Sequence, residues 1–360
     1  MKLGFGFYCR MLNRKHYRFA RQCGATHAVV HLVDYFHQSS DNNAPDNQPI
    51  GGTSGWGIAG ATAESWTYDN FVRIRDDMAQ EGIVFEAIEN FDPIHWYDVL
   101  LDGPNKVSQI KRLQEIVRDA GRAGIRTIGY NFSLAGVAGR ITGPFARGGA
   151  ESVGMDGVDD TPVPLGMVWN MTYDPHAAPE EMPPTSHEQL WQRFRYFLTK
   201  MVPVAEEAGV RLALHPDDPP APYVRRQPRL VYRHDLYQRV IDLVPSYYNA
   251  LEFCLGTLME MPEGNIYRAI ERYAAQDRIA YVHFRNVVGK APHYREVFID
   301  EGDLDMHRAI QILQSNGFDG VLIPDHTPQM SCDAPWHAGM AYALGYMNAL
   351  TRVTRAGRET

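Results

Sequence analysis

The chain has 360 residues, and its formal net charge of −8 with scattered lysines and arginines argues against a nucleic-acid partner, which needs a clustered basic face. Hydrophobic residues make up 44% of the chain, enough for a large core, and no apolar run reaches the ~18 residues that span a membrane. Without a signal-peptide pattern, and with 4 cysteines that lack paired spacing, we expect a reducing, cytoplasmic location and no disulfides.

Short apolar or β-branched runs alternate with segments of helical periodicity along the chain. Eight strands are predicted, in chain order LGFGF (3–7), AVVHL (28–32), VFEAIE (84–89), TIGYNF (127–132), RLALH (211–215), NALEFC (249–254), AYVHF (280–284) and GVLIPD (320–325). Eight helices are predicted to follow them, over residues 13–23, 69–81, 105–123, 187–208, 235–243, 262–275, 303–316 and 339–355. This alternation predicts a parallel sheet, and eight units close a (β/α)₈ TIM barrel. We therefore expect a single TIM-barrel domain over residues 1–360.

A doubly wound open sheet is the main structural alternative. It would need a glycine-rich phosphate-binding turn after an early strand, which GFGFYCR (4–10) does not provide, and we expect no nucleotide cofactor. The helix ends also fit the predicted elements. Gly124 and Gly209 stand where a left-handed residue ends a helix, and Asp303 is a candidate N-cap.

Three of the strand-to-helix connections are long and rich in glycine, proline and aspartate. They cover residues 33–68, 133–186 and 216–234, whereas the helix-to-strand connections are short. Long irregular loops in compact domains are usually binding loops or lids. In a barrel these loops all follow the carboxyl ends of strands, so we expect an enclosed active site on that face.

The last four predicted strands each carry a potential metal ligand at their ends. The ligands are His215, Cys254, His283 (one position before its strand ends) and Asp325. Taken singly, such residues are more often a hydrogen-bonded histidine, an apolar cysteine or a capping aspartate. Four of them on consecutive strand ends, ~4.8 Å apart between neighbours, are close enough to share an ion. Because imidazole, thiolate and carboxylate together suit a divalent cation, a metal site is predicted.

Several motifs resemble those of the mannonate dehydratases in order and spacing. They are EAIEN (86–90), AGIRTIGYNF (123–132), ALHPDDPP (213–220), EFCLGTL (252–258), VHFRNV (282–287), EGDLDM (301–306), PDH (324–326) and ALGYMNAL (343–350). The resemblance spans nearly the whole chain. It is specific because HPDDPP is combined with a strand-end cysteine, an HxRN strand and a PDH strand.

This resemblance implies a TIM barrel related to xylose-isomerase-type enzymes and the dehydration of D-mannonate to 2-keto-3-deoxy-D-gluconate. It also implies a divalent metal, typically Mn²⁺, on the four ligands that the strand ends indicate. The thiolate by itself favours Zn²⁺ or Fe²⁺, and Co²⁺ is a further alternative. His326 matches a catalytic position of the family and is expected to transfer a proton, with orientation of Asp325 as its alternative role.

Other polar residues near the strand ends are candidates for contact with the substrate. Asp217, a further candidate for catalysis, and Asp218 follow the ligand His215, and capping of the loop before Pro219 is an equally good interpretation of both. The remaining candidates for substrate contact are Arg285, Asn286, Tyr130, Asn131 and Glu89. Among these, an arginine offers a bidentate clamp for a carboxylate.

The chain departs from the family pattern in the predicted substrate region. The usual Arg-Pro-Asp-His-Gly motif begins here with Ile323 and ends with Thr327, and residues 135–157 replace an Asp-Trp-Thr-Arg-Thr run. His337 stands where the family has a tyrosine with a proposed acid/base role, and we expect it to take part in proton transfer. Since the metal ligands are unchanged, we expect the metal chemistry to be retained on an altered substrate.

Three functions are compatible with the sequence. The first is dehydration of D-mannonate or another aldonic acid, the second is metal-dependent isomerisation or epimerisation of a sugar through the same enediolate chemistry, and the third is non-catalytic sugar binding. The expected partner is a small sugar acid. Assembly into a homo-oligomer is possible, and neither nucleic acid nor membrane is expected as a partner.

Overall fold

Eight parallel strands close into a barrel, which confirms the predicted fold class. The computed structural model describes residues 1–38, 48–49 and 55–356, and the barrel strands β1 to β8 are Lys2–Tyr8, His27–His31, Val84–Glu89, Thr127–Tyr130, Arg211–Leu214, Asn249–Cys254, Ile279–His283 and Val321–Ile323. Each strand pairs in parallel with the next one along the chain. The ring closes where β8 returns to β1, through the pairs Lys2–Val321 and Leu3–Leu322.

Helices follow the strands within a few residues of the predicted bounds. In the described part of the chain the longer ones, α1 to α8, are Arg14–Gln22, Tyr68–Gln80, Lys106–Arg122, His187–Ala208, Leu236–Leu243, Ile266–Ala275, Met306–Ser315 and Pro335–Ala356. Gly209 ends α4 in the left-handed conformation, as predicted. The prediction for Asp303 is wrong: Asp305 caps α7 by accepting from the backbone of Arg308, and the Asp303 carboxylate instead accepts from the Gly289 N–H. Among the described residues, no helix combines the length and the apolar character needed to cross a bilayer.

The barrel interior is filled mostly by small and branched side chains. They are contributed by Val29, Ala87, Ala213, Ala250, Tyr281, Val321 and Ile323. Alanines on three of these strands leave room for the larger side chains of Tyr281 and Glu252. Gly129 in β4 is needed for the same reason, because a Cβ there would overlap the Tyr281 hydroxyl and a carboxylate oxygen of Glu252.

In the described residues, the loops at the carboxyl ends of the strands build three small sheets, of which the smallest pairs Tyr223–Val224 with Gln227–Pro228. Four antiparallel strands form the first, which we call the loop sheet: Arg140–Ala146, Ala150–Asp156, His293–Val297 and Asn286–Lys290. The second has three short strands, Gly57–Ile58, Met171–Thr172 and Met167–Val168. Residues 39–47 and 50–54 of the predicted loop 33–68 lie outside the described residues. The hairpin after β7 was not among the predicted active-site loops, because its alternating residues form a strand only by pairing with a distant segment.

Candidate active site

A cavity lies at the carboxyl ends of the barrel strands, on the face where TIM-barrel active sites are found. It is lined by Tyr8, His31, Tyr35, Gln48, Pro49, Trp56, Glu89, Asn90, Asn131, Val137, Arg140, Trp169, His215, Asp218, His283, Asp325 and His326. Strand ends supply its floor and loops supply its aromatic and cationic walls. Seven of these residues are among the thirteen site residues predicted from the sequence.

The four predicted metal ligands come together at this cavity. Donor atoms of His215, Cys254 and His283 all lie within 4.8 Å of one another. Asp325 completes the group, with Oδ1 3.5 Å from Nδ1 of His283 and Oδ2 4.0 Å from Sγ of Cys254. These separations are compatible with four ligands around one small cation.

The hydrogen bonds of the two histidines fit a cation. Nε2 of His283 is 3.1 Å from Oε2 of Glu89 and 3.1 Å from Oε1 of Glu252, whereas its buried Nδ1 has no hydrogen-bond partner among the described residues. In His215, Nδ1 is paired with the carbonyl oxygen of Pro216. One nitrogen of each ring is thus fixed by a protein acceptor and the other is left to bind, which is the usual arrangement of metal-binding histidines.

Cys254 is held in a form suited to coordination. Its Sγ is 3.2 Å from Oγ1 and 3.5 Å from the backbone nitrogen of Thr257, and 3.5 Å from Nη2 of Arg285. Burial opposes ionisation, but the Arg285 guanidinium and the two neighbouring histidines hold the pKa of the Cys254 thiol well below its usual range. The thiolate is the form that binds metals.

Negative charge is concentrated around the same point. Burial opposes protonation of His215, yet Glu252 and Cys254 raise its pKa to about 9. Burial and the nearby Glu89 raise the pKa of Glu252 to about 8. The same anionic neighbours that favour a proton on the histidine also favour a divalent cation, which can replace that proton. The donor set and its charge therefore fit the metal that the sequence predicts.

Arg285 lies behind the ligands instead of lining the cavity, contrary to its predicted contact with substrate. The side chain is 1% exposed and is 3.1 Å from Asp218, 3.0 Å from Glu260, 2.8 Å from Glu296 and 3.1 Å from Asp325. These carboxylates neutralise the charge of Arg285, because a buried guanidinium without an anionic partner would be strongly destabilising.

Three of the predicted substrate contacts do line the cavity. Asp218 approaches it from the loop after β5, and Asn131 donates a hydrogen bond of 2.8 Å to Asn90 at the end of β4. Glu89 at the end of β3 is also 3.5 Å from Nε2 of His31. The Glu89 carboxylate therefore contacts two histidines, one of which is the ligand candidate His283, and it also lines the cavity.

Three other predicted site residues have structural roles. The Asp217 carboxylate accepts from the backbone N–H groups of Leu230 and Val231, both at 2.8 Å, which is the loop-capping alternative. Asn286 donates to the carbonyls of Ile299 and Leu304 and thereby ties the loop together. The ring of Tyr130 is fully buried against α4, among the residues Trp96, Phe194 and Phe197. Tyr130 points outward because it precedes by one position the residue that faces the cavity.

His337 does not line the cavity, so its predicted proton transfer gains no support from the structure. Its ring packs at the start of α8 against Phe19 and Trp336, with centroid distances of 4.8 and 5.0 Å. Ile323 also does not face the cavity, because its side chain belongs to the barrel interior. Neither departure from the family pattern therefore changes the cavity wall directly.

Several lining residues were missed by sequence reasoning. Tyr8 and His31 are the last residues of β1 and β2 in the structure, each one position away from the end of its predicted strand. Glu252 does not line the cavity, but it is 3.1 Å from His283 and stands two positions before Cys254 on the same side of the strand. Arg140 belongs to the loop sheet, whose course no local pattern predicts.

The sequence is similar to mannonate dehydratases, and the fold is shared with a solved structure of that enzyme and with xylose isomerase domain proteins. The sequence model of the D-mannonate dehydratase (UxuA) family matches residues 179–356. The mannonate dehydratase of Streptococcus pneumoniae (strain 70585) is 28% identical over 312 residues, covering 80% of this chain and 82% of that protein. That of Lactococcus lactis subsp. cremoris (strain MG1363) is 27% identical over 339 residues, covering 82% and 89%. The crystal structure of mannonate dehydratase from Streptococcus suis serotype 2 superposes with a TM-score of 0.77 at 22% identity, over 100% of this chain and 95% of that one.

Proposed function

Because the chain belongs to the mannonate dehydratase family, we propose that it is a hydro-lyase that removes water from a sugar acid, with D-mannonate as the first candidate and 2-keto-3-deoxy-D-gluconate as its product. The observation that carries the proposal is the convergence of His215, Cys254, His283 and Asp325 at the cavity. Two imidazoles, a thiolate and a carboxylate suit a divalent cation, which the removal of a proton next to a carboxylate requires.

A divalent cation would be held by these four side chains. We name Mn²⁺ first because the family resemblance implies it, with Fe²⁺, Co²⁺ and Zn²⁺ as alternatives that the thiolate would also accept. When bound, the cation stabilises the negative charge that develops on oxygen as the proton next to a carboxylate is removed. Glu89 and Glu252 hold the ring of His283 from the far side and so fix the direction of its free nitrogen.

Dehydration also requires two proton transfers. The proton on the carbon next to the carboxylate must be removed, and the hydroxyl on the following carbon must leave as water, after which the enol product becomes the keto acid. We assign a proton transfer to His326, which lines the cavity beside the proposed ligand Asp325 with Nε2 3.2 Å from Oδ2. A histidine is suited to this step because its ordinary pKa lies near neutrality.

Arg140 is proposed to bind the carboxylate of the substrate. Its side chain is 6% exposed, Nη1 donates to the carbonyl of Pro49, and Nη2 lies 3.7 Å from Asp218. The buried Nε has no hydrogen-bond partner among the described residues. A buried donor without an acceptor is unfavourable, so a carboxylate in the cavity would satisfy it.

The test is a screen of purified, Mn²⁺-loaded protein against a panel of hexonates. We expect a 2-keto-3-deoxy acid from one or a few of them, detected by colorimetric assay and by the loss of one water in the mass spectrum. Interconversion of sugars at constant mass would instead indicate an isomerase or epimerase. Thermal stabilisation by a sugar acid without any turnover would indicate a binding protein and would contradict the proposal.

A further inference from the structure

Glu296 is a buried carboxylate of the loop sheet that has so far been described only as a partner of Arg285. It is 4% exposed, on the strand His293–Val297 that follows β7. Its Oε2 lies 2.7 Å from Nδ1 of His326 and accepts from Nε2 of Gln48 at 3.1 Å. Its Oε1 accepts from Nη1 of Arg285 at 2.8 Å. Both carboxylate oxygens of Glu296 therefore have polar partners, and Oε2 contacts His326, the residue to which we assign a proton transfer.

The carboxylate is ionised in this position. Burial opposes the charge, but His326 and Arg285 lower the pKa of Glu296 to about 2. Its backbone is fixed as well, because the Ser152 hydroxyl of the adjacent strand donates to the carbonyl oxygen of Glu296 at 2.6 Å. A charged acceptor on a rigid strand is suited to holding an imidazole in one orientation.

The two ring nitrogens of His326 face different groups. Nδ1 lies 2.7 Å from Oε2 of Glu296, and Nε2 lies 3.2 Å from Oδ2 of Asp325. We propose that Glu296 is a positioning residue, which holds His326 through Nδ1 so that Nε2 is the nitrogen presented to the substrate. This proposal rests on the function proposed above, in which His326 transfers a proton. It follows the logic of a carboxylate that sets the tautomer of a catalytic histidine.

Arg285 provides the competing explanation for a carboxylate at this place. On that explanation, Glu296 only neutralises the buried guanidinium. However, Arg285 is also 3.1 Å from Asp218, 3.0 Å from Glu260 and 3.1 Å from Asp325. Glu296 is one of four carboxylates around the arginine, whereas it is the carboxylate that contacts Nδ1 of His326. Loss of Glu296 should therefore affect the histidine more than the arginine.

The first test is Glu296→Gln in the Mn²⁺-loaded protein. An amide has one acceptor oxygen, so it cannot serve both Arg285 and His326 as the carboxylate does. With the substrate found in the hexonate screen, we expect kcat to fall about 10–100-fold, with KM and the Mn²⁺ dissociation constant within about twofold of wild type. Glu151→Gln is the matched control, because it makes the same change at an exposed residue of the same sheet and should leave all three values unchanged.

Two results would overturn the proposal. One is an unchanged kcat in Glu296→Gln, and the other is a loss of Mn²⁺ affinity as large as the loss of kcat, which would mean that Glu296 acts through the metal site. Glu296→Asp serves if the glutamine variant does not fold, since it keeps the negative charge but withdraws the carboxylate from Nδ1 of His326. The same fall in kcat is expected, and wild-type kcat in this variant would refute the positioning role.

A second readout does not depend on turnover. In Zn²⁺-loaded protein with ¹⁵N-labelled histidine, the ring resonances of His326 should show a proton on Nδ1, and Glu296→Gln should shift them while those of exposed His176 stay in place. If no hexonate is dehydrated but these shifts appear, the proposed function fails and the positioning by Glu296 stands. Resonances of His326 that are identical in both proteins would contradict the positioning itself.

Discussion

At the residue scale, the neighbours of Cys254 favour the thiolate form that a metal ligand requires. We expect Cys254→Ala to lower Mn²⁺ affinity by more than the roughly 10–100-fold cost of losing an outer-shell partner, because the thiolate is itself a proposed ligand. Metal content after dialysis at a fixed free Mn²⁺ concentration measures the effect. Cys332→Ala, at an exposed cysteine, is the control and should bind as wild type does. Full metal content in Cys254→Ala would remove this residue from the site.

Arg140 should determine how tightly a carboxylate substrate binds. Removal of a charge-assisted hydrogen bond costs about 1.5–3 kcal/mol, so Arg140→Met should raise KM about 10–100-fold or more. Arg147→Met is the matched control, since this arginine is in the neighbouring turn but its side chain is 52% exposed and paired with Asp300. Steady-state kinetics on the best hexonate decide the question. Equal KM values for the two variants would exclude a carboxylate contact at position 140.

The two histidines of the C-terminal region should behave differently. His326 lines the cavity, whereas His337 packs against Phe19 and Trp336 outside it. We expect His326→Ala to lower kcat at least about 100-fold and His337→Ala to leave it within about threefold. A large loss of kcat in His337→Ala at an unchanged melting temperature would show that His337 takes part in catalysis.

The positions of individual site residues could be predicted from the sequence where the geometry of the strands alone brings them together. His215, Cys254, His283 and Asp325 stand at or beside strand ends, and adjacent parallel strands bring such positions together whatever the loops do. Asp217 was not predictable in the same way. Its side chain is used by backbone N–H groups of its own loop, and the conformation of that loop cannot be obtained from local sequence.

At the scale of one element, β4 depends on a residue without a side chain. A methyl group on Gly129 would meet the Tyr281 hydroxyl and the carboxylate of Glu252 inside the barrel. Gly129→Ala should therefore lower the free energy of unfolding by about 1–3 kcal/mol and weaken Mn²⁺ binding as Glu252 moves. Chemical denaturation and metal titration measure the two effects. Gly345→Ala in α8, where a Cβ would meet nothing within 4 Å, should be neutral or slightly stabilising.

The barrel elements were predictable from periodicity, but the loop sheet was not. Each barrel strand and its helix are neighbours in sequence, so their patterns can be recognised locally. The loop sheet joins segments that are far apart, as in the contact of His293 with Asp156 across 137 positions. Arg140 and Glu296 reach the site only through this long-range pairing, and both were missed for that reason.

At the scale of the whole molecule, burial of histidine should make stability depend on pH. Burial, with a smaller effect of Arg112, lowers the pKa of His95 from its ordinary 6.5 to about 4. Between these values the unfolded chain binds a proton that the folded chain does not, so the free energy of unfolding should fall as the pH is lowered from about 6.5 to about 4. The contribution of His95 is up to about 3 kcal/mol.

His95→Phe keeps an aromatic ring against Trp66 but cannot titrate. Urea denaturation across this pH window should show a shallower decline for His95→Phe than for wild type, whereas His176→Gln, at an exposed histidine, should follow wild type. If the free energy of unfolding fell equally with pH in all three proteins, His95 would bind its proton equally well in the folded and the unfolded chain, and the prediction would fail.

Closure of the barrel between β1 and β8 has a consequence for how the protein is made. Ribosomes deliver the N-terminal strand first, yet its partner Val321 is near the other end of the chain. Asp325 emerges later still, so the four proposed ligands are complete only after the last barrel strand has been synthesised. Uptake of Mn²⁺ during refolding should consequently be a late event, and its rate should report the pairing of β1 with β8.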